Sequence, residues 1–150
     1  TELVGRINEK IDVTMYEQLS GAVVAPYIHS GYRAGVLVSL SANSEATFEA
    51  GRNVAMQVAA MSPVALDKDG VDQTIIEKEV EIGKDLARQE GKPEAMIEKI
   101  ALGKLNKFFK ENTLVNQAYV KGSSNENVAQ YLNSVEKGLK AEAFKHVTLV

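Results

Sequence analysis

Between Val71 and Asn112 the chain reads VDQTIIEKEVEIGKDLARQE, then GKP, then EAMIEKIALGKLNKFFKEN. In the first run Ile75, Ile76, Val80, Ile82, Leu86 and Ala87 recur at helical spacings. In the second Met96, Ile97, Ile100, Ala101, Leu105 and Phe108 do the same, so each run is one helix with an apolar stripe. Gly91 suits the left-handed residue after a helix end, and Pro93 suits the first turn of the next helix. A break this short between two helices forces them antiparallel. Each arm has about 20 residues and is therefore about 30 Å long at the helical rise.

The arms differ in charge. Asp72, Glu77, Glu79, Glu81, Asp85 and Glu90 outnumber Lys78, Lys84 and Arg88 on the first. Lys99, Lys104, Lys107 and Lys110 slightly outnumber Glu94, Glu98 and Glu111 on the second. The attraction is worth only tenths of a kcal/mol per exposed pair. A hairpin docked flat on a core shows a wide apolar arc. The narrow stripe and the charged remaining faces therefore favour a protruding antiparallel coiled coil.

At 150 residues the chain is one domain with room for a core. Its formal net charge of -3 argues against a general nucleic-acid binder held by phosphate neutralisation. With no cysteine, disulfides and thiolate chemistry are excluded, which fits a reducing compartment; the expected location is the cytoplasm. No apolar run is long enough to span a bilayer, and no membrane association is expected. Thr1 opens the chain without a methionine, in the middle of a helical pattern, so a longer parent is expected.

Around the hairpin the pattern is that of an α+β domain. Leu3, Val4 and Ile7 suggest a short helix over residues 2–10, weakened by Gly5. Ile11 to Leu19 alternates and predicts a half-buried strand. Ala22 to His29 predicts a second strand, at an edge or bulged, because Pro26 cannot donate to a ladder. Ala34 to Leu40 is nearly all apolar, as a central strand would be. These form an antiparallel meander of three strands, and Ala143 to Val150 is expected to return as a fourth. Ser41 to Ser44 offers caps for a helix over Glu45 to Met61, stopped by Ser62-Pro63; within VAMQVAAM, Val54 to Met61, only Gln57 is polar. The core is expected in residues 1–66 and 113–150, with 71–112 inserted as the hairpin. Asp69 or Gly70 is the expected cap of the hairpin; the Asp67-Lys68-Asp69-Gly70 run is no calcium loop, since Ile76 stands where a bidentate Glu is needed. Thr113 to Val120 reads as an extended connection, 121–125 as a loop and 125–133 as a short helix.

Catalytic constellations are missing from the sequence. Neither a phosphate-cradling GxxxxGK[ST] nor a GxGxxG occurs, and there is no GxSxG elbow. His29 and His146 are the only histidines, too few for a multi-histidine zinc site. No catalytic residue, cofactor or metal is expected, and a binding module is favoured over an enzyme.

Four segments then carry a resemblance: VVAPYIHSGYRAGVLV (23–38), VAMQVAAMSP (54–63), LARQEGKPEAMIE (86–98) and VNQAYV (115–120). In order, and across essentially the whole chain, they resemble bacterial elongation factor Ts. That resemblance implies a guanine-nucleotide exchange factor that binds elongation factor Tu and promotes GDP release during translation elongation. It implies the second core (dimerisation) subdomain with its coiled-coil hairpin. The N-terminal three-helix domain and the first core subdomain are missing, as is the latter's Thr-Asp-Phe-Val motif, which does not occur here. Binding to elongation factor Tu without full exchange activity is therefore expected.

By the same resemblance the partner-binding positions are His29, Arg52, Asn53, Val120 and Lys121. His29 stands in the Tyr-x-His segment after the second strand, and Arg52 and Asn53 just before VAMQVAA. Asn53 replaces a histidine of some relatives. Val120 and Lys121 follow Gln117-Ala118-Tyr119, where the family often has an apolar pair. The alternative, from another class, is a homodimerisation module, since some family members pair through this region.

Overall fold

The computed structural model describes residues 2–122 and 125–149, without the side chain of Leu3. Thr1, Ser123 and Ser124 of the expected loop, and Val150 of the expected last strand lie outside the described residues.

A first short helix, α1, spans Glu2–Ile7. Strands β1 (Val23–Ile28) and β2 (Ala34–Leu40) are joined by a single turn of 3-10 helix at Ser30–Tyr32. They pair antiparallel, with Ala25 opposite Val38 and Tyr27 opposite Val36. Strand β3 (Ala141–Thr148) pairs antiparallel on the other side of β2, with Phe144 opposite Val38 and His146 opposite Val36. The apolar run of β2 is thus central, and β1, which carries Pro26, is an edge.

The strand expected over Ile11 to Leu19 does not form: residues 10–20 have no helix or strand. The antiparallel sheet of the expected α+β fold therefore has three strands, within the expected three to four, and the third comes from the far end of the chain. Alternation is necessary for a half-buried strand but does not supply a ladder partner. Here Val13 and Tyr16 are 85% and 82% exposed, and Glu17 reaches Lys145 of β3 at 3.1 Å.

Helix α2 (Glu45–Met61) covers one sheet face. A reciprocal capping box starts it: Ser44 Oγ accepts from the Thr47 amide at 3.2 Å, and Thr47 Oγ1 from the Ser44 amide at 2.7 Å. Ser62, in the left-handed region at φ 44°, ends it. Small residues let it lie close. A Cβ on Gly51 would come within 2.7 Å of the Ala25 Cβ, and Ala55 is fully buried. Val36, Val38, Leu40, Val54 and Val58 form the centre of the core, joined by Leu114, Val128 and Leu132. The last two come from α5 (Val128–Val135), whose cap Asn127 is reciprocated by Gln130.

The hairpin arms are α3 (Gln73–Gln89) and α4 (Glu94–Asn112), which pack along each other. Gly91 has a φ of 69° as expected, and Pro93 precedes α4 as its cap residue. Asp72, not Asp69 or Gly70, caps α3, accepting from the Thr74 amide at 2.8 Å. The seam follows the expected stripe at Ala87, Ile97, Ala101 and Leu105, adds Gly83, and leaves out three of its expected members. Gly83 and Ala87 are buried against Ile97, Ala101 and Leu105, while Ile82, Leu86 and Met96 are exposed. The closest approach of two helices selects the smallest side chains, and here it runs through Gly83. Arg88 reaches Glu94 and Lys104 reaches Glu90 across the arms, each at 3.7 Å.

The two ends of the hairpin are tied together. Val64 N–H donates to Asn112 O at 2.9 Å and Leu114 N–H to Ala65 O at 3.0 Å. The connection expected to be extended instead makes a 3-10 turn at Leu114–Asn116.

Candidate partner-binding surface

The outward side of α2 meets the 117–121 loop through two amides on one helix face, Asn53 and Gln57, one turn apart. Gln57 is fully buried. Its Nε2 donates to Ala118 O at 3.0 Å and to Gln117 Oε1 at 3.3 Å, and its Oε1 accepts the Val120 N–H at 2.9 Å. Asn53 is half-buried. Its Nδ2 donates to the Tyr131 hydroxyl at 2.9 Å, and its Oδ1 accepts from Lys121 Nζ at 2.9 Å. Tyr131 in turn stacks on Tyr119, ring centroids 4.0 Å apart and 15° from parallel. Burial of Tyr119, and next its hydrogen bond with Tyr131, push its phenol well above the ordinary tyrosine range.

Four of the five residues expected from the sequence lie in this region. Asn53 and Lys121 touch. Val120 is 51% exposed although its backbone is held. Arg52 is exposed and lines, with Phe48, Asn53 and Met56, a shallow surface groove of about 400 Å³ that Glu45 and Glu49 close with negative charge. Asn53 belongs to both groove and loop, so it joins them. The fifth, His29, stands apart just past β1. Its Nδ1 lies 3.3 Å from the Tyr27 hydroxyl, and among the described residues no hydrogen bond ties it to the others.

What the patch can do chemically is bind. Val120 projects an apolar group, Arg52 and Lys121 supply cations, and Phe48 adds an aromatic ring 40% exposed. Exposed apolar and cationic groups in one region are the ingredients of a protein-docking surface. Among the described residues no group of three or more His, Asp or Glu side chains could hold a metal ion, and no helix is long and apolar enough to cross a membrane. Sequence reasoning missed Gln57, Tyr119, Tyr131 and Phe48. For Gln57 the signal was present, as the one polar residue in VAMQVAAM. For the tyrosines there was none, because their stacking depends on how α5 returns.

The family described as elongation factor TS matches residues 1–149. Elongation factor Ts of Cytophaga hutchinsonii is 54% identical over 149 residues, covering 99% of this chain and 53% of the relative. Elongation factor Ts of Flavobacterium psychrophilum is 53% identical over 148 residues, 99% of this chain and 54% of its own length. That of Porphyromonas gingivalis is 41% identical over 149 residues, 99% and 53% respectively. The chain spans about half the length of these relatives. With a match that runs through the α2 and 117–121 segments alike, the chain belongs to the elongation factor Ts family.

Proposed function

We propose that this chain is the gripping part of a guanine-nucleotide exchange factor. It docks on elongation factor Tu, in the cytoplasm, through Arg52, Asn53, Val120 and Lys121, with His29 as an outlying contact. The observation that carries this reading is the convergence of groove and loop at Asn53, in a chain of the elongation factor Ts family. We read residues 1–66 and 113–150 as the core and 71–112 as an inserted coiled coil.

Exchange needs both a grip and an intrusion beside the nucleotide. The Thr-Asp-Phe-Val motif that the family resemblance associates with intrusion does not occur in the sequence. The chain therefore binds elongation factor Tu with little or no acceleration of GDP release. Stopped-flow release of a fluorescent GDP analogue, with this chain added, tests it. Acceleration like that of a full-length relative contradicts the division of labour, and no binding at high concentration contradicts the grip.

A second reading, self-association, is favoured by the exposed apolar residues Ile11, Val13, Met15 and Tyr16, and by Ile28 at the adjoining sheet edge. Light scattering with and without elongation factor Tu separates the two. A stable dimer that persists without the partner favours self-association.

A further inference from the structure

We infer that Gln57 is a positioning residue of the binding patch: it fixes the backbone of residues 118–120 and so presents Val120 and Lys121. The inference rests on the proposed function only for what the patch grips. Burying a glutamine with no exposed surface costs free energy that an apolar side chain would not, unless its amide meets specific partners. Here it meets three, and two are main-chain atoms of residues 118–120, a segment outside any helix or named strand. That segment is tied on its other side by the Ala118–Asn127 bridge and by the Tyr119 N–H donating to Glu126 O at 2.8 Å. The Ala118 carbonyl and the Val120 amide are bonded to opposite ends of one side-chain amide, so the intervening Tyr119 is held with its ring turned inward onto Tyr131. Val120, next to it, is left half exposed.

Asn53, one turn earlier, continues the arrangement by accepting the Lys121 ammonium while donating to Tyr131. Its polar atoms are thus engaged within the chain. Asn53 acts with Gln57 in orienting the loop as well as lining the patch, so that Val120, Lys121 and Arg52 are presented to the partner. α2 is rigid because the sheet lies beneath it, so the loop takes its position from the core.

The test is residue-resolved amide exchange of the free chain, with affinity for elongation factor Tu measured alongside. In the unmodified chain the Val120 amide exchanges far more slowly than that of Lys121, for which no acceptor stands among the described residues. Gln57→Leu, close in volume but without the amide, speeds Val120 exchange by at least about tenfold and leaves Val58 slow. It weakens binding by about tenfold, through faster dissociation. Combined with Val120→Ala it adds little further loss, because both act through one contact. A Val120 amide as fast as Lys121 in the unmodified chain overturns the inference, whether or not Gln57→Leu folds. So does a folded Gln57→Leu with unchanged exchange or unchanged affinity. Failure of the unmodified chain to bind elongation factor Tu overturns the proposed function instead, and the exchange result still decides the role of Gln57.

Discussion

Gly83 of α3 faces Ala101 of α4 so closely that a Cβ on the glycine would stand 3.1 Å from the Ala101 Cα. Two effects oppose each other at this crossing. Alanine favours the helix over glycine by about 1 kcal/mol, but the added methyl must push the arms a few tenths of an ångström apart. Gly83→Ala is therefore expected near neutral. Gly83→Leu should separate the arms and destabilise the hairpin by about 1–3 kcal/mol. Loss of helical circular dichroism at lower denaturant, with the amides of Val36 and Val38 still slow to exchange, is the expected result.

The hairpin should be removable. Its seam is internal, and its ends are bonded to each other at Val64–Asn112 and Ala65–Leu114. Deleting residues 82–100 and rejoining the arms with a short turn should leave cooperative unfolding of the remainder intact. A broad, non-cooperative transition in that deletion would show that the sheet depends on the arms.

The contact between α2 and the sheet is the opposite case. Ala55 is fully buried and Gly51 abuts Ala25. Ala55→Leu should cost about 1–3 kcal/mol in chemical denaturation. Ala59→Leu, at a half-buried position, should cost less. A near-neutral Ala55→Leu would place the wrong face of α2 on the sheet.

These cases mark what the sequence could and could not disclose. Periodicity located α2, α3 and α4 because each buries one continuous face, and Gly91 and Ser44 marked ends by local chemistry alone. The run from Ile11 to Leu19 misled because its alternation has no ladder partner. Ile82 and Leu86 misled because a hairpin seam goes where two backbones approach closest, which period alone does not specify. At the candidate site, family resemblance supplied Arg52, Asn53, Val120 and Lys121. That Lys121 would lie on Asn53, 68 residues earlier, required the fold.

Substitutions in the patch should separate grip from rim. Val120→Ala should weaken binding to elongation factor Tu by about 1–2 kcal/mol, and His29→Ala, at the outlying contact, by less. Lys121→Ala should cost less and mainly change the salt dependence of association. Titration calorimetry at two ionic strengths reads both. An effect of Lys121→Ala larger than that of Val120→Ala would shift the centre of the interface to the ammonium.

Alkali should act through Tyr119. Its pKa is raised in the folded chain above the ordinary 10.0, so above that pH the unfolded chain has lost a proton that the folded chain keeps. Stability that depends on the neutral phenol is whole below that pH and is lost as pH rises beyond it. Tyr119→Phe should flatten this alkaline decline. Denaturation midpoints followed upward from neutral pH, with phenolate absorbance as the second signal, check the expectation. An identical decline in Tyr119→Phe would assign it to other groups.

The bonds that join the two ends of the hairpin bear on how quickly the sheet can assemble. β2 must find β3 across a long stretch of chain; Ser39 and Ala143, whose side-chain to backbone contact closes that pairing, are 104 residues apart. The arms between them need only local encounters to zip, and once zipped they bring Ala65 beside Thr113. The loop that remains to be closed is then about half as long, which lowers its entropic barrier by about 0.6 kcal/mol. The hairpin thereby serves as a shortcut in the search, lowering the effective contact order of a sheet whose middle strand is completed last.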